Sequence, residues 1–138
     1  MQISGASKRE IEMETLFKRE GYELTGAAFE VYNELGHGLL EEIYQQALEI
    51  ELGLRNIPFD AKKHLEVYYK SQKLNKIYIP DLYVYNGIIV ELKSVSSLNN
   101  EHEAQLFNYM RLTKSRVGYL INFGSKDKLE WKRYILTE

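Results

Sequence analysis

Apolar residues in the first part of the chain recur at helical spacing. Leu24, Ala27, Ala28, Val31, Tyr32 and Leu35 share one face of a helix predicted over about residues 23–35. Gly36-His37-Gly38 breaks it. A second helix over about residues 40–55 places Ile43, Tyr44, Ala47, Leu48, Glu51 and Leu52 near one face, and Asn56 and Pro58 stop it. Residues 7–20 are charged and read as a solvated helix or a loose N-terminal arm. The middle of the chain then switches to a period of two. Leu65, Val67 and Tyr69 alternate within a strand over residues 63–70, and Ser71-Gln72 reads as a turn. A second strand is predicted over residues 74–84, with a local irregularity at Pro80, and Asn86-Gly87 marks a hairpin turn. The third strand, residues 88–95, opens with Ile88-Ile89-Val90, apolar on both faces. Such a strand belongs in the middle of a sheet, with helices on both sides. A helix over residues 101–113, a strand over 117–123 and a last edge strand over 131–136 follow. The order is ααβββαββ: one α/β domain over residues 1–138, a mixed central sheet flanked by helices.

Two charged residues stand on the strand expected to be most buried. Glu91 and Lys93 are two apart and therefore project from the same face. Ionised groups are costly to bury unless paired or bound to metal. A pair formed by the two residues themselves is one reading; a catalytic carboxylate with an ammonium beside it is the other. Asp81, ten residues earlier, bears on the choice through register. A two-residue Asn86-Gly87 turn pairs Tyr85 with Ile88 and leaves Asp81 opposite Leu92, on the wrong face. A three-residue loop, Tyr85-Asn86-Gly87, pairs Val84 with Ile88 and sets Asp81 opposite Glu91. That loop calls for a left-handed residue, which Gly87 is expected to supply; a bulge near Pro80 would serve equally. Two carboxylates facing each other repel, and a divalent cation removes the conflict. Oxygen ligands select magnesium or manganese over zinc.

The chain contains no cysteine. This excludes disulfides, thiol catalysis, thiolate zinc sites and iron–sulfur clusters. No apolar run is long enough for a membrane span, and residues 1–20 are too polar for a secretory signal, so a cytoplasmic location is expected. The net charge of −2 does not suggest a strongly basic nucleic-acid binder. Its distribution adds a qualification: residues 1–60 carry a net −7 and residues 61–138 a net +5. The basic part either faces a polyanion or complements the acidic part of the same domain. His37, His64 and His102 have no spacing that argues for zinc.

Ile79-Pro80-Asp81, followed by Glu91-Leu92-Lys93, has the form of the motif of the PD-(D/E)XK, restriction-endonuclease-like nucleases. Gly38, Glu41 and Tyr44 resemble the GxxExxY signature of a small family within that superfamily. Gln105 and Tyr109 resemble the QxxxY motif of its RecB and lambda-exonuclease branch. The resemblance implies a restriction-endonuclease-like fold and phosphodiester hydrolysis by a metal-activated water. It implies that Asp81, Glu91 and Glu41 hold magnesium or manganese, with the Leu92 backbone carbonyl as a further ligand. Lys93 would hold the attacking water and stabilise charge on the phosphate. Gln105 would orient the water or Lys93, and Tyr109 would touch a nucleotide or support the site. Each has a plainer role available. Glu41 suits the first turn of a helix, Tyr44 suits packing, and Gln105 and Tyr109 suit an amphipathic helix.

The expected substrate is nucleic acid, with DNA first. Phosphate contacts would come from Lys62, Lys63, Lys70, Lys73, Lys76, Lys114 and Arg116; the plainer role for most of them is solvated surface. No base-reading motif is present, so strong sequence specificity is not expected. The alternative is a non-catalytic nuclease fold that binds nucleic acid or protein together with a larger partner. A third reading is a purely structural interaction protein. Eleven tyrosines offer material for a homo-oligomeric interface.

Overall fold

The computed structural model describes residues 7–137. The expectation for the arm falls partly on residues 1–6, outside the described residues. Three helices come first: α1 (Lys8–Thr15), α2 (Lys18–Leu35) and α3 (Glu41–Leu54). Five strands follow: β1 (Phe59–Ala61), β2 (Leu65–Tyr69), β3 (Gln72–Tyr78), β4 (Leu82–Val84) and β5 (Ile88–Lys93). The chain closes with α4 (Asn100–Thr113), β6 (Val117–Asn122) and β7 (Glu130–Ile135). Ser7 caps α1 in a reciprocal box with Glu10, which is why this charged stretch is helical rather than loose. No helix among the described residues is long and apolar enough to cross a membrane.

The main sheet has the order β1-β4-β5-β6-β7, and β2-β3 form a separate two-stranded sheet. Strand β5 pairs antiparallel with β4 and parallel with β6, so the sheet is mixed, as expected. Alternate residues of β5 serve two cores. Ile88, Val90 and Leu92 pack with Leu24, Ala28 and Val31 of α2 and Tyr44 and Leu48 of α3. Ile89 packs on the other side with Leu106 and Met110 of α4 and with Val67 and Tyr78 of the β2-β3 hairpin. This two-sided burial makes β5 the centre of the fold.

The predicted second strand is divided. Its first part is β3, paired with β2; its last part is β4, between β1 and β5. The division falls at Ile79-Pro80-Asp81. Proline has no N–H for a ladder and restricts the residue before it, so the chain can change sheets there. The added strand β1 escapes a periodicity reading because three residues cannot display a pattern. Helix α2 starts five residues before the expected point, because its first turn, Lys18-Arg19-Glu20, carries no apolar signal.

The β4–β5 connection takes the three-residue form. Val84 pairs with Ile88, Tyr83 with Ile89 and Leu82 with Val90. The assignment of the left-handed position needs correction: it is Tyr85 (φ 54°) and Asn86 (φ 52°) that adopt it, not Gly87. Asparagine tolerates that region, whereas for Tyr85 it costs about 1–2 kcal/mol. Tyr85 is held there by its N–H, which donates to the Pro58 carbonyl at 2.9 Å, and by its hydroxyl, which donates to Glu23. Gly87 is needed for space. A Cβ at that position would stand 2.4 Å from the Phe17 ring.

Gly87→Ala should therefore destabilise the protein by about 1–3 kcal/mol, the usual cost of overpacking. Gly53→Ala is the control, because a Cβ there meets nothing within 4 Å. It should be neutral or stabilise α3 by about 0.5–1 kcal/mol. Urea unfolding of both variants checks the contrast; equal midpoints would show that the Phe17 ring yields freely.

Candidate active site

The site forms where β5 ends. Continuing the β4–β5 register by one pair sets Asp81 opposite Glu91, and continuing β1–β4 sets Lys62 opposite Asp81. The contacts agree with this row. The Asp81 N–H donates to Glu91 Oε1 at 3.1 Å. Asp81 Oδ2 accepts from the Leu92 N–H at 2.7 Å, and Oδ1 accepts from Lys62 Nζ at 3.0 Å. The Asp81 carbonyl accepts from Gln45 Nε2 of α3 at 2.8 Å. Glu91 Oε2 accepts from the Tyr78 hydroxyl.

Burial governs the charges. It pushes the Glu91 carboxyl up to about 7, and the nearby Asp81 charge pushes in the same direction. The hydrogen bonds from Tyr78 and from the Asp81 N–H oppose both effects. Burial and then the Glu91 charge raise the Tyr78 hydroxyl above its ordinary range. Burial works against the Lys62 ammonium, but its bond to Asp81 and the charges of Asp81, Glu91 and Glu49 outweigh that and raise its proton affinity.

Helix α3 reaches this end of the sheet through the loop of residues 36–40. Gly38 N–H donates to the Phe123 carbonyl at 3.3 Å, and the Ser94 hydroxyl donates to the Leu39 carbonyl. Tyr44 is wholly buried, stacks on Phe123 at 4.5 Å, donates to the Gly36 carbonyl and accepts from the Leu39 N–H. Its role is to pin the loop. Glu41, at the start of α3, consequently lines a hollow of about 400 Å³ together with Glu42, Gln45, Glu49, Lys62, Asp81 and Leu92. A larger hollow of about 680 Å³, beside Tyr22, Phe29 and Trp131, contains none of the candidate residues.

The other candidates divide. Lys93 shares the face of Glu91, but the two do not form an ion pair; among the described residues Lys93 pairs with no carboxylate. Tyr109 stacks on Tyr78 at 4.1 Å and so touches the site through it. Gln105 is exposed on the outer side of α4, in a shallow hollow lined by that helix alone, and hydrogen-bonds to none of Asp81, Glu91 or Lys93. Lys63 lies 4.0 Å from Asp60 and over the Tyr83 ring. Lys114 lies over Tyr68, and Arg116 donates towards Met13. These last two precede β6, whose first residue pairs with the first residue of β5, so they stand a strand's length from Glu91 and Lys93. The structure does not bring them to the site. His102 caps α4 with Asn99.

Three supporting residues were not singled out from sequence. Tyr78 was counted as strand, Gln45 as helix, and Asn122 as strand. Asn122 is fully buried and holds Val95 by two bonds, its Nδ2 donating to the carbonyl and its Oδ1 accepting from the N–H, both at 2.9 Å. Tyr78 carried a signal, since it lies just before Pro80-Asp81 at the strand break.

Among the described residues no three His, Asp or Glu side chains are gathered into a ready metal cage. The donor chemistry nevertheless fits a hard divalent cation. Asp81 and Glu91 are linked side by side, Glu41 lines the same hollow as Asp81, and the ligands are oxygens only. The upward shift of Glu91, from burial first and from Asp81's charge second, is the imbalance that such a cation relieves.

The crystal structure of SSO0001 superposes with a TM-score of 0.56 at 20% identity, over 88% of this chain and 61% of that one. The likeness concerns the fold, and this chain spans about three fifths of that protein's length. No curated protein sequence matches. A family model described as the PD-(D/E)XK nuclease superfamily matches residues 18–134, most of the chain. The chain belongs to the PD-(D/E)XK nuclease superfamily.

Proposed function

We propose that this chain hydrolyses phosphodiester bonds in DNA with a magnesium or manganese ion held by Asp81, Glu91 and Glu41. The observation that carries the reading is the apposition of Asp81 and Glu91, with Lys93 on the same face and, among the described residues, paired with no carboxylate. The ion, when bound, supplies Lewis-acid polarisation of a phosphate oxygen and a more acidic water. The Leu92 carbonyl is a further candidate ligand. The chain's own groups do the positioning. Glu91 is held at both oxygens, by Tyr78 and by the Asp81 N–H, so its orientation is set before substrate arrives. Lys93 places a positive charge where negative charge grows on the phosphate, which suits electrostatic stabilisation rather than proton abstraction. Tyr109 supports Tyr78 through the stack. Gln105 would need a substrate or a moved side chain to act. The match of Gly38, Glu41 and Tyr44 to the GxxExxY signature supports placement in that narrower family. The acidic pair and Lys93 together give the binding-module alternative no observation of its own.

Asp81→Asn and Lys93→Ala should each lower cleavage of DNA by about 10²–10³ or more, with circular dichroism unchanged. Cleavage that survives both substitutions would remove the assignment. Tyr78→Phe keeps the stack on Tyr109 but removes the donor to Glu91. It should reduce kcat/KM by about tenfold, at the low end of losses for one aligned hydrogen bond. It should also move the acidic limb of the pH–rate profile upward, because the Tyr78 bond holds Glu91's proton affinity down.

Glu91 also makes stability depend on pH in the metal-free protein. Its carboxyl lies near 7 when folded against an ordinary value of 4.5. Between those values the folded chain holds the proton that the unfolded chain has lost, so stability falls as pH rises. The loss begins near 4.5 and is complete above 7, amounting to something on the order of 3 kcal/mol. Glu91→Gln can accept from the Asp81 N–H and donate to Tyr78. It should therefore unfold at higher urea than the wild type at pH 8, in chelator, and lose that advantage at pH 4.5. Parallel stability profiles for the two proteins would contradict the burial account.

A further inference from the structure

Of the pair Asp81 and Glu91, it is Asp81 that lines the hollow, and its two oxygens are not equivalent. Oδ2 is tied to the backbone by the Leu92 N–H at 2.7 Å. Among the described residues Oδ1 is held only by Lys62 Nζ, at 3.0 Å. Lys62 is set in place by backbone geometry: it directly follows β1, its N–H donates to the Asp81 carbonyl at 3.4 Å, and it adopts a left-handed conformation (φ 57°). Its ammonium is the only cationic group among the residues lining that hollow, against Glu41, Glu42, Glu49 and Asp81. Its side chain is 58% exposed, compared with 21% for Asp81, so it can swing into water at little cost while Asp81 stays fixed.

We infer that Lys62 is a built-in competitor for the metal position: it occupies Asp81 Oδ1 in the metal-free chain and must be displaced when a divalent cation binds. This rests on the reading of Asp81 as a metal ligand. Two cations of like charge cannot share one exposed oxygen in a small hollow without strong repulsion, so occupancy by one opposes occupancy by the other. The ammonium offsets part of the hollow's negative charge while the ion is absent. It also raises the metal concentration needed to load the site, because only the part of the metal-free population with Lys62 swung away can accept the ion.

The test is direct binding of Mn²⁺ to the full chain, followed by calorimetry and by the electron paramagnetic resonance of free ion, with no substrate present. Lys62→Ala should bind Mn²⁺ about two- to fivefold more tightly than wild type, the upper part of the range expected for loss of one exposed pair. Lys63→Ala removes the same charge next door, where the amine lies 4.0 Å from Asp60 instead. It should leave Mn²⁺ affinity within about twofold of wild type, as a rim charge does at this ionic strength. Equal or weaker binding by Lys62→Ala, or equal tightening by Lys63→Ala, would overturn the competition. If wild type binds Mn²⁺ and Asp81→Asn does not, that failure leaves the metal site standing. If no variant binds Mn²⁺, the metal site falls and the competition with it.

Discussion

The site depends on a conflict built into strand β5. Its residues from Ile88 to Val90 are fully buried, because one face meets α2 and α3 and the other meets α4 and the β2-β3 hairpin. The same strand ends in Glu91 and Lys93. A carboxylate carried to the edge of so apolar an environment cannot keep its ordinary proton affinity, and Glu91 rises to about 7. The fold therefore delivers to its sheet end a group that needs a partner. Every other feature of the site is a means of supplying one: the Tyr78 hydroxyl, the Asp81 N–H and the positive charge that Asp81 draws toward it.

The surrounding contacts hold that end of the sheet still. Tyr44 and Ser94 pin the loop before α3, Gln45 holds the Asp81 carbonyl, and Asn122 braces the chain beyond β5. None of these residues need touch a substrate. They fix backbone that would otherwise be a set of loose strand ends, and a positioned carboxylate is worth far more to a hydrolytic site than a mobile one. The left-handed Tyr85 belongs to the same scheme, since the three-residue loop it helps form is what gives β4 and β5 the register that sets Asp81 against Glu91.

Much of this was legible before any coordinates. The run Ile88-Ile89-Val90 announced a central strand, and the two-residue spacing of Glu91 and Lys93 announced a shared face. Setting Asp81 opposite Glu91 demands the three-residue loop, and the loop is there; but a glycine in a turn does not tell backbone freedom from room, and Gly87 gives room to the Phe17 ring while Tyr85 and Asn86 take the left-handed positions. What stayed hidden was tertiary. Nothing local tells that Tyr78 bonds Glu91 across 13 positions, or that Lys62 meets Asp81 across 19. Lysines were counted as phosphate contacts on charge alone. The topology then separated them, placing Lys62 at the site and Lys114 and Arg116 at the far end of β6. The helical spacing of Gln105 and Tyr109 was equally blind to direction: one meets Tyr78 and the other faces out.

The break at Pro80 unites these observations. A continuous strand from residue 74 to residue 84 would have sent successive side chains to alternate faces and offered Glu91 a single neighbour. Because the chain leaves the β2-β3 hairpin at Tyr78 and re-enters the main sheet at Leu82, it passes Glu91 in an irregular stretch. That stretch approaches both carboxylate oxygens, with the Tyr78 hydroxyl at Oε2 and the Asp81 N–H at Oε1. The backbone N–H that bonds Glu91 is available for it because β4 begins only at Leu82, so the Asp81 N–H owes no hydrogen bond to a strand. The interruption that looked like a flaw in a strand pattern thus frees the donor, aims the phenol and turns the Asp81 carboxylate toward the hollow. Pro80 stands at this break, and the stretch that ends one sheet carries Asp81 to Glu91 at the end of the other.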